Sequence, residues 1–300
     1  VKTVFMGTPE IAVPALRMLA ELTDVRLVVT QPDRPAGRGQ QLQPPAVKLA
    51  ALELALPIWQ PETLRGAEHA PEWPEVDYFI VMAYGELLRQ PVLDLPRLGC
   101  LNLHASLLPR WRGASPLQAA LRAGDGETGV CVMGMVRGLD AGPVYCQRHI
   151  SLAGQPSLPW LHDAVAGEAA AALREFLQAE PKPVPQPQNE TLVTTCGKLT
   201  AQDGCLDWQR SRAELERWVR AYTPTPGCWV PWQGARLRIL GMDLGDAQSG
   251  LIPGTTRVVG DSLQVACADG WVQITRLQSP NRKALPAADW LRGQQVPERL

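Results

Sequence analysis

The first half of the chain repeats one pattern, and that pattern narrows the fold more than any other feature. Short apolar runs alternate with stretches whose apolar residues recur at helical spacing. "TVFMG", "DVRLVVTQ", "VDYFIVMA" and "LGCLNLH" read as strands. Residues 10–21 and "PAVKLAALELA" read as helices, the second opened by Pro45, since Pro is tolerated in a first turn. A parallel strand pair needs a crossover long enough to hold a helix, so this alternation predicts a mostly parallel α/β sheet with helices on both faces. A helix is expected near 116–123. "TGVCVMGM" and "GPVYCQRHISL" then read as a hairpin-like antiparallel pair, followed by a helix over 157–179.

The pattern stops at "PKPVPQP", where four prolines fall in seven positions, 181–187. Such a run is stiff and extended, and it marks a domain boundary. Beyond it, Ser211 and Glu214 form a capping box, and Leu215, Trp218, Val219 and Tyr222 recur on one helical face. Arg212, Arg217 and Arg220 are left for the other faces. Five short β-like runs with turn signals follow and predict a small barrel. The expected organisation is a catalytic domain over 1–180, a linker over 181–204 and a barrel domain over 205–300.

Charge adds one asymmetry. The chain carries a net charge of −1, but residues 1–190 hold 16 Lys/Arg against 20 Asp/Glu, and residues 191–300 hold 13 against 10. Eleven of those 13 cations are Arg, which suits phosphate contacts and equally suits a composition with only five Lys overall. A barrel bearing Arg is a platform for RNA or a plain scaffold. The seven cysteines include no C-x-x-C pair, which reads as reduced thiols. The four histidines show no metal-ligand spacing beyond a lone Cys146–His149 pair, so no metal is expected. No apolar run approaches the length of a membrane span. "VKTVFMG" reads as a strand rather than a signal peptide. The expected location is the cytoplasm.

In an open α/β sheet, ligands sit at the carboxyl ends of strands near the point where strand order reverses. Four loops answer to that position: Gly7–Pro9, Ala83–Leu88, the segment after Asn102, and Gly138–Pro143. The first is no G-x-G-x-x-G fingerprint, which argues against a dinucleotide. Strand alternation puts Asn102 and His104 on one face. Alone, the pair reads as a satisfied buried amide and imidazole, and Asp140 between glycines reads as a turn residue. Converging, the three make an acyl-transfer apparatus: the His moves a proton, the Asp orients it, and the Asn amide donates to a developing oxyanion. Ser106 is the nearest hydroxyl, but G-x-S-x-G is absent, which favours direct attack by an amine. The loop Gln31–Lys48 carries Arg34 and Arg38 and is longer than connectors usually are. It reads as a functional loop or a solvated one.

"QPDRPAGRG", "AYG", the N-x-H followed by "SLLPRWRGASP", "AGDGETGV" and "GLDAG" together resemble the folate-dependent formyltransferases. "PDRPAGRG" and the basic C-terminal region narrow the resemblance to the members that formylate methionyl-tRNA (EC 2.1.2.9). It spans the whole chain. It implies a Rossmann-like, doubly wound, mostly parallel sheet and then a small OB-like β-barrel. It implies transfer of formyl from 10-formyltetrahydrofolate to the amino group of initiator methionyl-tRNA, without a metal, a membrane or an obligatory protein partner. Asn102, His104 and Asp140 would be catalytic. Ser106, Leu107, Leu108 and Pro109 would line the folate site, and Gly85, Glu86, Leu87 and Leu88 would wall the pterin pocket. Arg34, Arg38, Arg217 and Arg220 would meet the tRNA. The sequence departs from the family pattern at Ala105, where Gly is usual, at Gln40 and Gln41, where Lys is common, and at "DAGP" in place of "DTGD". Competing readings are a formyltransferase acting on a small amine, a hydrolase releasing formate from the same folate, and a binding protein without catalysis.

Overall fold

The computed structural model describes residues 1–36 and 41–300. Its first strands follow the expected alternation: β1 (Lys2–Gly7), α1 (Val13–Leu22), β2 (Asp24–Val29), α2 (Ala46–Glu53), β3 (Ile58–Trp59), β4 (Tyr78–Met82) and β5 (Gly99–His104). One boundary differs from expectation. A 3₁₀ turn occupies Glu10–Ala12 and α1 begins only at Val13. Pro14 has no N–H to give, so it must lie in the first turn, and the helix starts there. Pro45 opens α2 from the N-cap position, one residue ahead of the first turn, with no side-chain cap bond.

After a two-residue strand β6 (Arg112–Gly113) and helix α3 (Pro116–Ala123), the chain makes β7 (Glu127–Gly134) and β8 (Val144–Ser151), then α4 (Leu158–Gln178). The main sheet has the order β8-β7-β5-β4-β1-β2-β3. Strands β1 to β5 pair in parallel, and β7 and β8 extend the sheet antiparallel. The order reverses between β1 and β4. Those two strands are its driest, with Val4, Phe5, Met6, Phe79 and Ile80 fully buried, as both faces of a parallel sheet are covered.

A short strand β9 (Thr195–Cys196) closes the first of two compact units, which comprises 1–116, 127–151 and 161–196. The second comprises 117–126, 152–160 and 197–300. Its helix α5 (Arg212–Tyr222) buries Leu215, Trp218, Val219 and Tyr222. Five strands follow: β10 (Cys228–Trp232), β11 (Ala235–Ala247), β12 (Thr256–Val259), β13 (Ser262–Cys267) and β14 (Gly270–Gln278). They form an antiparallel sheet in the order β10-β11-β14-β13-β12, with Leu285–Pro286 paired to β14. Register shifts along β11 bend that long strand and curl the sheet. Among the described residues, no helix is long and apolar enough to cross a membrane.

The Ser211–Glu214 box is formed as the spacing predicts: the Glu214 carboxylate accepts from the Ser211 amide at 3.0 Å and hydroxyl at 2.7 Å, and Glu214 N–H donates to Ser211 Oγ at 3.3 Å. The Ser211 hydroxyl and amide hold the Glu214 carboxyl below its ordinary value of 4.5. Ser211→Ala should lower stability by about 1 kcal/mol in chemical denaturation. A lowered folded-state pKa contributes stability above the unfolded-state value and loses it as pH falls through the folded one. The parent should therefore exceed Glu214→Gln in stability at neutral pH, and the two should converge below about pH 4.5.

Candidate active site

His104 ends β5 and its ring is nearly buried, 6% exposed. Nε2 lies 2.9 Å from the carbonyl oxygen of Trp111. A carbonyl only accepts, so Nε2 carries the proton, and Nδ1 is left as the open edge of the ring. That edge faces the Asp140 carboxylate, with Nδ1 to Oδ2 at 3.7 Å. Asn102 sits two residues earlier on the same face, half-buried, and its carboxamide makes no hydrogen bond among the described residues.

Asp140 reaches the imidazole by an indirect path. β7 is antiparallel to β5, and its last residue, Gly134, stands opposite Leu101 rather than His104. The connection 135–143 must fold back to deliver the carboxylate. Asp140 takes the left-handed region at φ 47°, and its Oδ2 accepts from Gly113 N–H at 2.8 Å. Among the seven described non-glycine residues with positive φ, three are Ala83, Trp111 and Asp140, all in loops of this region. Such backbone is costly for a Trp and persists only where surroundings hold it. Near the order reversal, Thr8 Oγ1 donates to Tyr84 O at 2.8 Å and ties the loop after β1 to the loop after β4.

The remaining expected residues separate into groups. Ser106 is fully buried and its hydroxyl donates to Arg110 O at 2.6 Å. Leu108 packs with Cys131 and Met133, while Leu107 and Pro109 are half-buried. Gly129 leaves room for Leu107: a Cβ there would stand 2.5 Å from Leu107 Cδ2. In the loop after β4, Gly85 turns at φ 96° and Leu87 is 75% exposed. Glu86 accepts from Thr63 Oγ1 at 2.6 Å and Leu64 N–H at 3.0 Å, and Leu88 belongs to the core.

Of the expected cations, Arg34 is exposed, 3.8 Å from Glu62. Arg38 and Gln40 lie outside the described residues, and Gln41 is exposed. In the second unit, Arg217 Nε donates to Arg122 O at 3.2 Å. Arg220 pairs with Glu216 at 2.8 Å and donates to Pro156 O at 3.2 Å.

Residues 4–177 match the formyl transferase family, and residues 198–295 match the formyl transferase C-terminal domain. A methionyl-tRNA formyltransferase of Pseudomonas paraeruginosa is 45% identical over 303 residues, covering 96% of this chain and 94% of that protein. One of Paracoccus denitrificans is 42% identical, covering 100% and 99%. The chain belongs to the methionyl-tRNA formyltransferase family. It is a one-carbon transferase built on both of the family's domains. Among solved structures, an N-formyltransferase of Helicobacter canadensis in complex with folinic acid and dTDP-3-aminofucose shares the fold. Its TM-score is 0.66 at 14% identity, covering 91% of this chain and 98% of that one.

Sequence reasoning passes over four residues that the structure draws to this site: Arg112, Gln188, Glu190 and Cys131. Arg112 is 7% exposed; its Nε donates to Gln188 Oε1 at 2.9 Å and its terminal nitrogens to Glu190 at 3.2 and 2.7 Å. Gln188 Nε2 donates to both Asp140 O and Gly142 O at 2.7 Å. Arg112 lies within the "SLLPRWRGASP" motif, but nothing local marks Gln188 or Glu190, which follow the proline run. Cys131, opposite His104 in register, donates to Ser106 O at 2.9 Å and accepts from Leu108 N–H at 3.2 Å.

Burial pushes the Cys131 thiol up to about 11, and the Cys100 and Cys228 thiols to about 12. The thiolate is the reactive form. In the native protein at pH 8, these three should resist alkylation while the half-exposed Cys205 reacts first; mass mapping of modified peptides against time checks the order.

Proposed function

We propose that the chain transfers the formyl group of 10-formyltetrahydrofolate to the amino group of methionine on initiator tRNA, with Asn102, His104 and Asp140 as its catalytic groups. The observation that carries this reading is likeness to methionyl-tRNA formyltransferases along nearly the whole chain, both domains included. The N-formyltransferase of Helicobacter canadensis shares only the fold at 14% identity, so a sugar amine is the weaker reading of the acceptor.

The amine nitrogen attacks the formyl carbon. A C–N bond forms, and the carbonyl oxygen takes negative charge in a tetrahedral intermediate. That intermediate collapses with loss of the folate N10, and the proton leaving the amine is returned to N10. Asn102 has an uncommitted carboxamide and donates to the oxyanion. His104 works through Nδ1, because Nε2 is held by the Trp111 carbonyl. Asp140, at 3.7 Å, stabilises positive charge on that edge as the proton passes. Ser106, engaged with Arg110 O, is no nucleophile, which agrees with direct attack by the amine. Holding the amine against the formyl carbon supplies much of the remaining acceleration. The loop 83–88 and residues 106–109 border the folate, with Leu87 and Leu107 as apolar contacts and Glu86 and Leu88 fixing the loop beneath them. Arg34, Arg38, Arg217 and Arg220 are assigned to the tRNA; Arg217 and Arg220 would have to exchange present partners for phosphate.

His104→Ala should lower kcat by about 10²–10⁴-fold while folate still protects the protein against thermal unfolding. Formyl transfer from labelled 10-formyltetrahydrofolate is to be followed with methionyl-tRNA and with small amines as acceptors. Parental turnover in the variant would remove His104 from the mechanism, and transfer to small amines alone would reassign the acceptor.

A further inference from the structure

Residues 178–197 fall between the two family matches. In the structure they are laced onto both loops that carry the reacting groups. β9 pairs in parallel with β6. Thr194 Oγ1 accepts from Trp111 N–H at 2.9 Å, and Thr194 O accepts from Arg112 N–H at 2.9 Å. Gln186 and Val144 exchange two backbone hydrogen bonds at 2.8 Å. Gln188 stands between these anchors and touches the backbone of Asp140 itself.

We propose that Gln188 is a positioning residue for the formyl transfer, holding the Asp140 carboxylate against His104. This rests on the reading of Asp140 and His104 as catalytic groups. The orientation of the Gln188 amide is settled by its partners. Two carbonyl oxygens, those of Asp140 and Gly142, lie 2.7 Å from one end, and only N–H groups can face them. The Arg112 Nε donor lies 2.9 Å from the other end, and only an oxygen can face it. Arg112 is fixed in turn by Glu190. The amide thus clamps the folded-back loop on both sides of Ala141. Gly142 packs too closely for any other residue, since a Cβ there would meet Gly134 O at 1.7 Å. Asp140 itself makes two kinds of contact: its side chain is held by Gly113 N–H, and its backbone is held by Gln188. Without the second, the left-handed turn at Asp140 has less to hold it, and the carboxylate is free to drift from Nδ1.

Gln188→Glu separates this role from mere support of Arg112. The carboxylate still accepts from Arg112 but presents oxygen to two carbonyls in place of two N–H donors. In the full-length protein, kcat should fall about 10–100-fold with KM for 10-formyltetrahydrofolate unchanged and the melting temperature close to the parent. Gln188→Met, uncharged and of similar length, should lower kcat alike; it also drops the Arg112 contact, so if the Glu variant does not fold, the Asp140→Ala background is what separates the two roles for the Met variant. Single-turnover rates in an Asp140→Ala background complete the cycle: Gln188→Glu should cause no further loss there, because its effect passes through Asp140. Parental kcat in both Gln188 variants, or a loss that multiplies in full on Asp140→Ala, overturns the proposal. Parental kcat in Asp140→Ala alone would instead overturn the catalytic reading beneath it.

Discussion

The hydrogen bond from His104 Nε2 to the Trp111 carbonyl, 2.9 Å long, is the contact on which the site's geometry turns. It sets the tautomer and leaves one open edge, Nδ1, which faces Asp140 at 3.7 Å. It also asks for a carbonyl in an unusual place. Trp111 supplies it by sitting at φ 63°, a conformation that a bulky side chain adopts only under restraint. The restraint is visible on either side. Trp111 N–H is taken by Thr194, the next residue pairs with β9, and Arg110 stacks over the Trp111 ring at 4.3 Å. The strained carbonyl, the imidazole and the carboxylate are therefore one object, and the chain from 186 to 196 is what keeps it together.

That dependence gives the proline-rich boundary a meaning its composition does not disclose. Prolines at 181, 183, 185 and 187 make the segment extended, which suits a linker and equally suits a strap that must run along a surface offering its backbone to neighbours. Here the strap reading accounts for more contacts. Gln186, Gln188, Glu190, Thr194 and Cys196 each bond to the β6 segment or to the 140–144 loop. The first compact unit accordingly runs to Cys196.

Much of this was legible in the sequence, and the legible part has a common character. Strand–helix alternation, the Ser211–Glu214 box and the shared face of Asn102 and His104 are local periodicities, and each fixes local geometry without help from distant residues. What escaped depends on distance along the chain. The return path of 135–143 is set by Gly113, Gln188 and the close packing of Gly142 on Gly134, and only Gly134 and Gly142 are near it in sequence. The start of α1 at Val13 rather than Glu10 has a local cause, the missing N–H of Pro14. In the loop after β4, Gly85, Glu86, Leu87 and Leu88 read alike in sequence, yet one turns, one braces Thr63 and Leu64, one is exposed and one is core. Side-chain direction in an irregular segment has no period to reveal it.

Charge illustrates the same limit. The excess of cations after residue 190 is real, but an arginine counts toward a binding surface only if its guanidinium is free to leave its neighbours. Arg220 is held between Glu216 and a carbonyl, and Arg212 between Asp269 and the Gly245 carbonyl. Arg236 is held differently, stacked on Trp229 at 4.2 Å, whereas Arg257, stacked on Trp271 at 3.9 Å, also donates from Nε to Gln264 and lies 3.7 Å from Asp246. Stacking leaves the edges of a guanidinium available, because the ring covers its face and the N–H groups point outward in its plane. An ion pair consumes those N–H groups, so a phosphate must displace a carboxylate before it can be bound. Arg236 therefore needs a smaller rearrangement than Arg212 or Arg220 to receive an anion, a distinction that net charge and residue type alone do not draw.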